Sequence, residues 1–279
     1  MKVEELLKYG KIELEKNKIE DASIIAKILI QYVLKIDKNK IIIEKEKEVE
    51  KIKEEEYKKY IKEIVQGKPI QYIINNQEFM KLNFFVNENV LIPQPDTEIL
   101  VEKVLEIVKE NMESKILDIC TGSGAIGISL AYYLNKAKLT LADISSKALE
   151  ISKINAKRNN VEEKIKFINS DMFEKIEEKY NIIVSNPPYI KTNIIPTLDK
   201  QVQNEPYIAL DGGKDGLKFY RILIDEAPKH LEKDGILIFE IGYDQKEDIE
   251  NLVKENKNYK SMQVMKDLSQ NDRVVILKY

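Results

Sequence analysis

The sequence predicts an α/β fold, a sheet of mostly parallel strands with helices on both faces, preceded by a small helical bundle. Two observations carry this expectation. Past residue 114, short apolar runs alternate with helical stretches: KILDIC, LTLAD, KIKFIN, NIIVS and GILIFEI, then YKSMQVMKD and DRVVILKY. Such runs, separated by enough residues for a helix, read as parallel strands joined by crossovers. Residues 1–68 instead place apolar side chains at helical spacing.

The elements follow in order. Val3 to Glu15 reads as a first helix. The stretch DASIIAKILIQYVLKI offers Asp21 as an N-cap and a stripe of Ile24, Ile25, Ile28, Leu29, Tyr32 and Val33. KEKEVEKIKEEEYKKYIKEIVQG is a Lys/Glu-rich helix closed by Gly67, with Val49, Ile52, Tyr57, Tyr60, Ile61 and Ile64 on its narrower apolar stripe. Together these predict a bundle of three to five helices over residues 1–68. Residues 69–93, with NN and NEN turn signals between β-rich runs, predict a hairpin-like connector. The α/β domain then spans 94–279. Its final two strands are joined by LSQN, too short for a crossover, and are expected to pair antiparallel.

Composition narrows the function classes. The 279 residues are 43% hydrophobic and 33% charged, with a net charge of −3. No global basic surface is available for duplex nucleic acid, and Arg158, Arg221 and Arg273 are the only arginines. One cysteine and one histidine exclude an internal disulfide and a Cys/His zinc site, so no metal is expected. The charged N-terminus lacks a signal-peptide core. The long uncharged run Ile119–Asn135 is broken by Gly, Ser and Thr and is no membrane span. A cytoplasmic protein without membrane contact is expected.

The chemistry begins at ILDICTGSGAIGISLAYYL, a strand, a glycine turn and a helix. Gly122 and Gly124 let the backbone pass close to a ligand, and the helix N-terminus presents free amides. With Gly127 the turn reads G-x-G-x-x-G, a weak signal alone. The next strand ends in LTLADIS, placing Asp143 where a carboxylate can accept both ribose hydroxyls of a nucleoside. Ser145 can cap the following helix, which frees Asp143. A third strand ends in FINSDMF. Asp171 there can accept an exocyclic N–H, and Met172 supplies apolar contact to a base.

The fourth strand ends in SNPPYI. Asn186 and Pro187 each precede a proline and are held extended, and both prolines have fixed φ. The result is a stiff corner at the carboxyl end of a central strand. There the Asn186 side-chain carbonyl and the Pro187 backbone carbonyl can face one –NH2 group, with Pro188 stiffening the turn and Tyr189 packing on a planar acceptor. An amide or aryl amine is a poor nucleophile, and two rigid acceptors can hold its nitrogen and aim the lone pair. The motif does not say whether that nitrogen belongs to a glutamine or a nucleobase.

SNPPYI, LDICTGSGAIGISLA, VLIPQPDTEILVE, EPYIALDGGKDGLKFYRILIDEA, FEIGYDQ and NDRVVILKY together resemble the peptide-chain release factor glutamine methyltransferases. The similarity spans nearly the whole chain. It implies a seven-stranded Rossmann-like S-adenosylmethionine-dependent methyltransferase domain, and the helical N-terminal domain before it is expected to dock the substrate protein. It implies methylation of the N5 amide of the glutamine in the Gly-Gly-Gln loop of class 1 release factors. On this resemblance Cys120, Thr121, Gly122, Ser123 and Gly124 line the methionine end of the cofactor. Asp143 holds its ribose, Met172 lies near its adenine and Asn186 near the transferred methyl. Asn186, Pro187, Pro188 and Tyr189 hold the substrate glutamine. Cys120 stands where the family commonly has glycine, Met172 where an aromatic is frequent, and Gln94 where IPRP has arginine.

Two alternatives use the same logic: a ribosomal-protein glutamine methyltransferase, and an adenine-N6 or cytosine-N4 nucleic-acid methyltransferase acting on a flipped base. The acidic chain and the absence of an Arg-rich base-reading segment count against the second. The lone His230 is expected to cap a helix end and Cys120 to be a small buried residue. Glu205 to Gly213 reads as a substrate-facing flap.

Overall fold

A computed structural model describes residues 1–108 and 113–279. The chain forms two units, Met1–Asn75 with Asp199–Asn204, and Asn76–Leu198 with Glu205–Tyr279.

The first unit contains α1 (Val3–Lys16), α2 (Ala22–Leu34), α3 (Lys38–Ile43), α4 (Lys51–Val65) and α5 (Ile70–Ile74). Its core joins Leu6 and Leu14 of α1, Leu29, Ile30 and Val33 of α2, and Tyr57, Ile61 and Ile64 of α4. The expected stripe of α2 is rotated. Ala22 and Ala26 face the core with Leu29, Ile30 and Val33, whereas Ile24 and Tyr32 are exposed. Ala22 and Ala26 pack in one cluster with side chains of α1 and α4, where a small residue takes little room. Asp21 makes no side-chain cap; it adopts a left-handed φ of 52°, and its carbonyl accepts from the amides of Ile24 and Ile25. Gly67, at φ 105°, follows the end of α4.

The segment read as one hairpin-like connector divides. Its start is helical (α5), because Pro69 sits at an N-cap before a buried Tyr72–Ile73 pair. The hairpin itself is shorter, β1 (Gln77–Phe79) against β2 (Leu82–Phe84), turning through Met80 and Lys81 with positive φ. It is tied into the second unit by three bonds. The Met80 amide donates to Glu98, Tyr133 donates to the Met80 carbonyl at 2.7 Å, and the Phe85 amide donates to Asn155.

The second unit then alternates α6 (Glu98–Ile107), β3 (Ser114–Ile119), α7 (Ala125–Tyr133), β4 (Ala137–Asp143), α8 (Ser146–Arg158), β5 (Ile165–Asn169) and β6 (Tyr180–Ser185). After the short helices α9 (Lys200–Gln203, in the first unit) and α10 (Tyr207–Leu210) come α11 (Lys218–His230), β7 (Leu231–Glu240), α12 (Lys246–Glu255), β8 (Ser261–Lys266) and β9 (Asp272–Lys278). The seven strands run in the order β5-β4-β3-β6-β7-β9-β8. Those from β5 to β7 are parallel, and β9 lies antiparallel between β7 and β8. Central strands such as β3 and β6 are buried almost continuously, as a two-faced sheet requires.

The chain winds outward from β3 to β5, then returns to place β6 on the other side of β3. Ligands bind beyond the carboxyl ends of strands at such a reversal. The glycine turn follows β3 and the Asn-Pro-Pro-Tyr corner follows β6, so the topology brings both motifs to one end of the sheet.

Candidate active site

The glycine turn is held from beneath. Fully buried Asp118 accepts from the Thr121 hydroxyl at 2.6 Å and the Gly127 amide at 2.9 Å. Burial pushes its pKa up to about 7. From α8, Ser152 donates to the Gly122 carbonyl and Asn155 to the Ser123 carbonyl, each at 2.9 Å. Cys120 takes a left-handed φ of 60°, a conformation that glycine adopts without steric penalty. Its thiol is raised by burial, and its Sγ lies 3.6 Å from the Met172 Sδ. A Cβ on Gly122 would meet nothing within 4 Å, so open space borders this backbone. Gly124, at φ 83°, caps α7 where a Cβ would strike Ile128 and Ser152.

Asp143 closes the turn from the neighbouring strand. One carboxylate oxygen accepts from the Gly122 amide at 2.8 Å and the other from the Ser145 amide at 2.9 Å. Each oxygen retains acceptor capacity toward the cleft. The Ser145 hydroxyl caps α8 through Ala148, which leaves Asp143 free of that task. Asp171 is exposed beside buried Met172, whose left-handed φ of 46° is supported by the Ser170 hydroxyl donating to its carbonyl.

At the end of β6, the Ser185 hydroxyl donates to the Ile119 carbonyl at 2.7 Å and pins the two motifs together. The Asn186 amide donates to the Thr97 hydroxyl oxygen at 3.1 Å; Thr97 donates onward to Glu240 at 2.5 Å. The other Glu240 oxygen accepts from the Tyr189 hydroxyl at 3.2 Å. Glu240 is almost completely buried, and burial raises its pKa. Thr97, Glu240 and Gln245 were not read from the sequence. The available signal was an acidic residue inside the apolar run GILIFEI.

The glycine turn, Asp143, Thr97 and Asn186 border one cleft, whose space is about 1160 Å³ with the open solvent at its mouth included. Its wall includes Cys120, Thr121, Gly122, Ser123, Asp143, Asp171, Met172, Asn186 and Pro188, together with Val90, Pro93, Ile144 and Phe219. Gly124, Pro187 and Tyr189 are not part of that wall. Tyr189 commits its hydroxyl to Glu240, and burial raises its phenol pKa. The flap contributes Pro206, Ile208 and Ala209 to the wall, while its Glu205 accepts from the Ile92 amide at 2.9 Å. His230 ends α11 and stacks on Phe173 with centroids 4.9 Å apart, and neither ring borders the cleft.

A seven-stranded, mostly parallel sheet with this cleft at its carboxyl end defines a Rossmann-like methyltransferase. The catalytic domain of hMettl16, solved with an RNA hairpin, shares the fold at TM-score 0.62 and 14% identity, over 76% of this chain and 82% of that one. The family described as "Methyltransferase small domain" matches residues 95–204, and "PrmC N-terminal domain" matches 5–74. The release factor glutamine methyltransferase of Clostridium acetobutylicum is 45% identical over 90% of this chain and 89% of its own length. The protein of the same name from Clostridium botulinum is 42% identical over 99% and 98%. This chain belongs to the release factor glutamine methyltransferase family.

Proposed function

We propose that this chain methylates the side-chain amide nitrogen of the Gly-Gly-Gln glutamine of class 1 release factors, with S-adenosylmethionine as methyl donor. The observation that carries the reading is that Asn186 borders the same cleft as the Asp143-closed glycine turn, as a planar-amide methylation requires.

The residues present fit the donor. Asp143 is an acceptor-only group, when ionised, beside a glycine with open space in front of it, and Ile144 and Met172 offer apolar surface nearby. Asp143 would hold ribose hydroxyls, Cys120 to Ser123 the methionine portion, and Met172 with Asp171 the adenine. S-adenosylmethionine supplies an electrophilic methyl on a sulfonium, chemistry that needs no metal. Asn186, with the Pro187 backbone carbonyl, would accept from the two N–H groups of the glutamine amide and orient its nitrogen for transfer, in which the N–C bond forms as the donor's S–C bond breaks. Both acceptors are neutral, so the surplus proton leaves to solvent. This is catalysis by positioning and preorganised dipoles.

The test is to incubate the protein with labelled methyl donor and a release factor, a ribosomal protein, RNA or DNA, and to map the label by mass spectrometry. Label on the Gly-Gly-Gln glutamine is expected. Label confined to ribosomal protein or nucleic acid, or no label, overturns the assignment.

The helical unit is assigned the docking of the protein substrate. Ile42, Ile43 and Ile52 there are 73%, 79% and 70% exposed, apolar surface that a partner can cover. Replacing Ile42 and Ile43 by serine is expected to raise KM for the intact factor and leave a short Gly-Gly-Gln peptide unaffected. An unchanged KM for the factor removes this role.

A further inference from the structure

We infer that Thr97 and Glu240 fix which way round the Asn186 amide sits, and so act as positioning residues for methyl transfer. The inference rests on the functional reading above, because the orientation matters only if Asn186 accepts from an incoming –NH2.

An asparagine amide has nearly the same shape in either orientation; only its hydrogen-bond partners distinguish the two. Reversed, it would present its own –NH2 to the acceptor nitrogen, donor against donor. The chain of bonds forbids this. Thr97 has one hydroxyl proton, and Glu240 takes it at 2.5 Å. An ionised carboxylate offers acceptors only, and the second Glu240 oxygen is engaged by the Tyr189 hydroxyl. Thr97 therefore has only lone pairs left for Asn186, and only the Asn186 Nδ2 can fill them, at 3.1 Å. The Oδ1 is left free to accept.

The arrangement is rigid because its members come from separate elements. Thr97 ends a short 3-10 helix, Pro95–Thr97, Glu240 closes β7 and Asn186 follows β6. Thr97 and Glu240 are 4% and 2% exposed, so water does not compete for the bonds. Burial acts most strongly on Glu240 and raises its pKa; the Thr97 and Tyr189 hydroxyls and the positive Arg273 of β9 favour its ionised form against that, and Asp96 adds to the rise. Arg273 itself is anchored to Asp267 at 2.9 Å and Asp96 at 3.3 Å.

The experiment compares wild type with Thr97→Val, Thr97→Ser, Asn186→Ala and the Thr97→Val/Asn186→Ala double variant. Thr97→Val is expected to lower kcat on the release factor by about 10²-fold, the scale of a small misplacement of a reacting group. Affinity for the methyl donor should stay within about twofold, and Thr97→Ser, which keeps the hydroxyl, should recover most of the turnover. If Thr97 acts through Asn186, Thr97→Val adds nothing in the Asn186→Ala background. Additive losses, an equally impaired Thr97→Ser, or a Thr97→Val enzyme at wild-type kcat each overturn the inference. Should Thr97→Val not fold, Glu240→Gln, which keeps the volume and removes the charge, is expected to lower kcat in the same way, and wild-type turnover there overturns it.

A second readout does not depend on the substrate. The Asn186 side-chain amide proton that faces Thr97, assigned by its loss in Asn186→Ala, should exchange more slowly with solvent in wild type and Thr97→Ser than in Thr97→Val. Equal exchange in wild type and Thr97→Val overturns the inference even if the enzyme proves to methylate something else. Slow exchange in wild type with no methylated release factor overturns the functional reading instead.

Discussion

The side-chain amide of Gln245 donates to the backbone carbonyl of Tyr189 at 3.1 Å and so clamps the end of the Asn-Pro-Pro-Tyr corner. Gln245 is buried, and all its bonding capacity is engaged. Its nitrogen also reaches the Gly216 carbonyl, and its oxygen accepts from Tyr220 and the Gly242 amide. The prolines stiffen the corner locally; Gln245 ties it to the loop before α11.

Gln245→Leu keeps the volume and orphans these groups. Each buried unpaired group costs about 1–3 kcal/mol, so a clear loss of stability is expected in denaturant titration. An unaltered midpoint would show that the clamp contributes nothing.

Asn186→Ala and Asp143→Asn should separate the two ends of the cleft. The first is expected to cut kcat by roughly 10²–10³, typical of losing one preorganised polar contact, with little change in donor affinity. The second weakens a charge-assisted contact and the closure of the glycine turn. It should raise the donor Kd by roughly 10- to 100-fold, read by calorimetry. The reverse pattern would exchange their roles.

Glu205 makes stability depend on pH. Burial lifts its carboxyl from 4.5 to about 7. The folded state therefore binds the proton more tightly than the unfolded chain, and stability is lost as pH rises between those values. Glu205→Gln can still accept from the Ile92 amide and carries no charge. Its Tm relative to wild type should be higher at pH 8 than at pH 4, by about 2–4 °C for each kcal/mol of linkage, and a difference independent of pH would refute this.

Gly10 lies in α1 against Tyr57 of α4. A Cβ there would overlap the phenol oxygen, which donates to the Ala26 carbonyl at 3.2 Å in a fully buried site. Gly10→Ala gains about 1 kcal/mol of helix propensity, yet overpacking costs typically 1–3 kcal/mol and the buried bond is disturbed. Net destabilisation is expected in thermal melts followed by circular dichroism; a raised Tm would mean that the helices separate easily.

The parts legible in the sequence were those written contiguously. Gly122, Gly124 and the two prolines declare their backbone geometry to their neighbours, and apolar runs announced the strands. The support was not legible, because Thr97 and Asn186 stand 89 positions apart and Gln245 and Tyr189 stand 56 apart. Only the folded sheet makes them neighbours. The rotated face of α2 escaped for a related reason. Hydrophobicity favours Ile24 over Ala22, but close helix approach favours the smaller side chain. The partner of the Tyr189 hydroxyl was hidden by separation along the chain, because Glu240 stands 51 positions away.

Among the described residues strand β9 follows β7 and β8 in sequence, yet it lies between them. On the ribosome, β8 emerges with no partner, and the β7 edge stays open until residues 272–278 follow. Glu240 pairs in register with Val274, and the Ile241 amide donates to the Arg273 carbonyl at 2.8 Å. A growing chain thus carries its glycine turn and its Asn-Pro-Pro-Tyr corner before it holds the strand that pairs with the Glu240 end of β7.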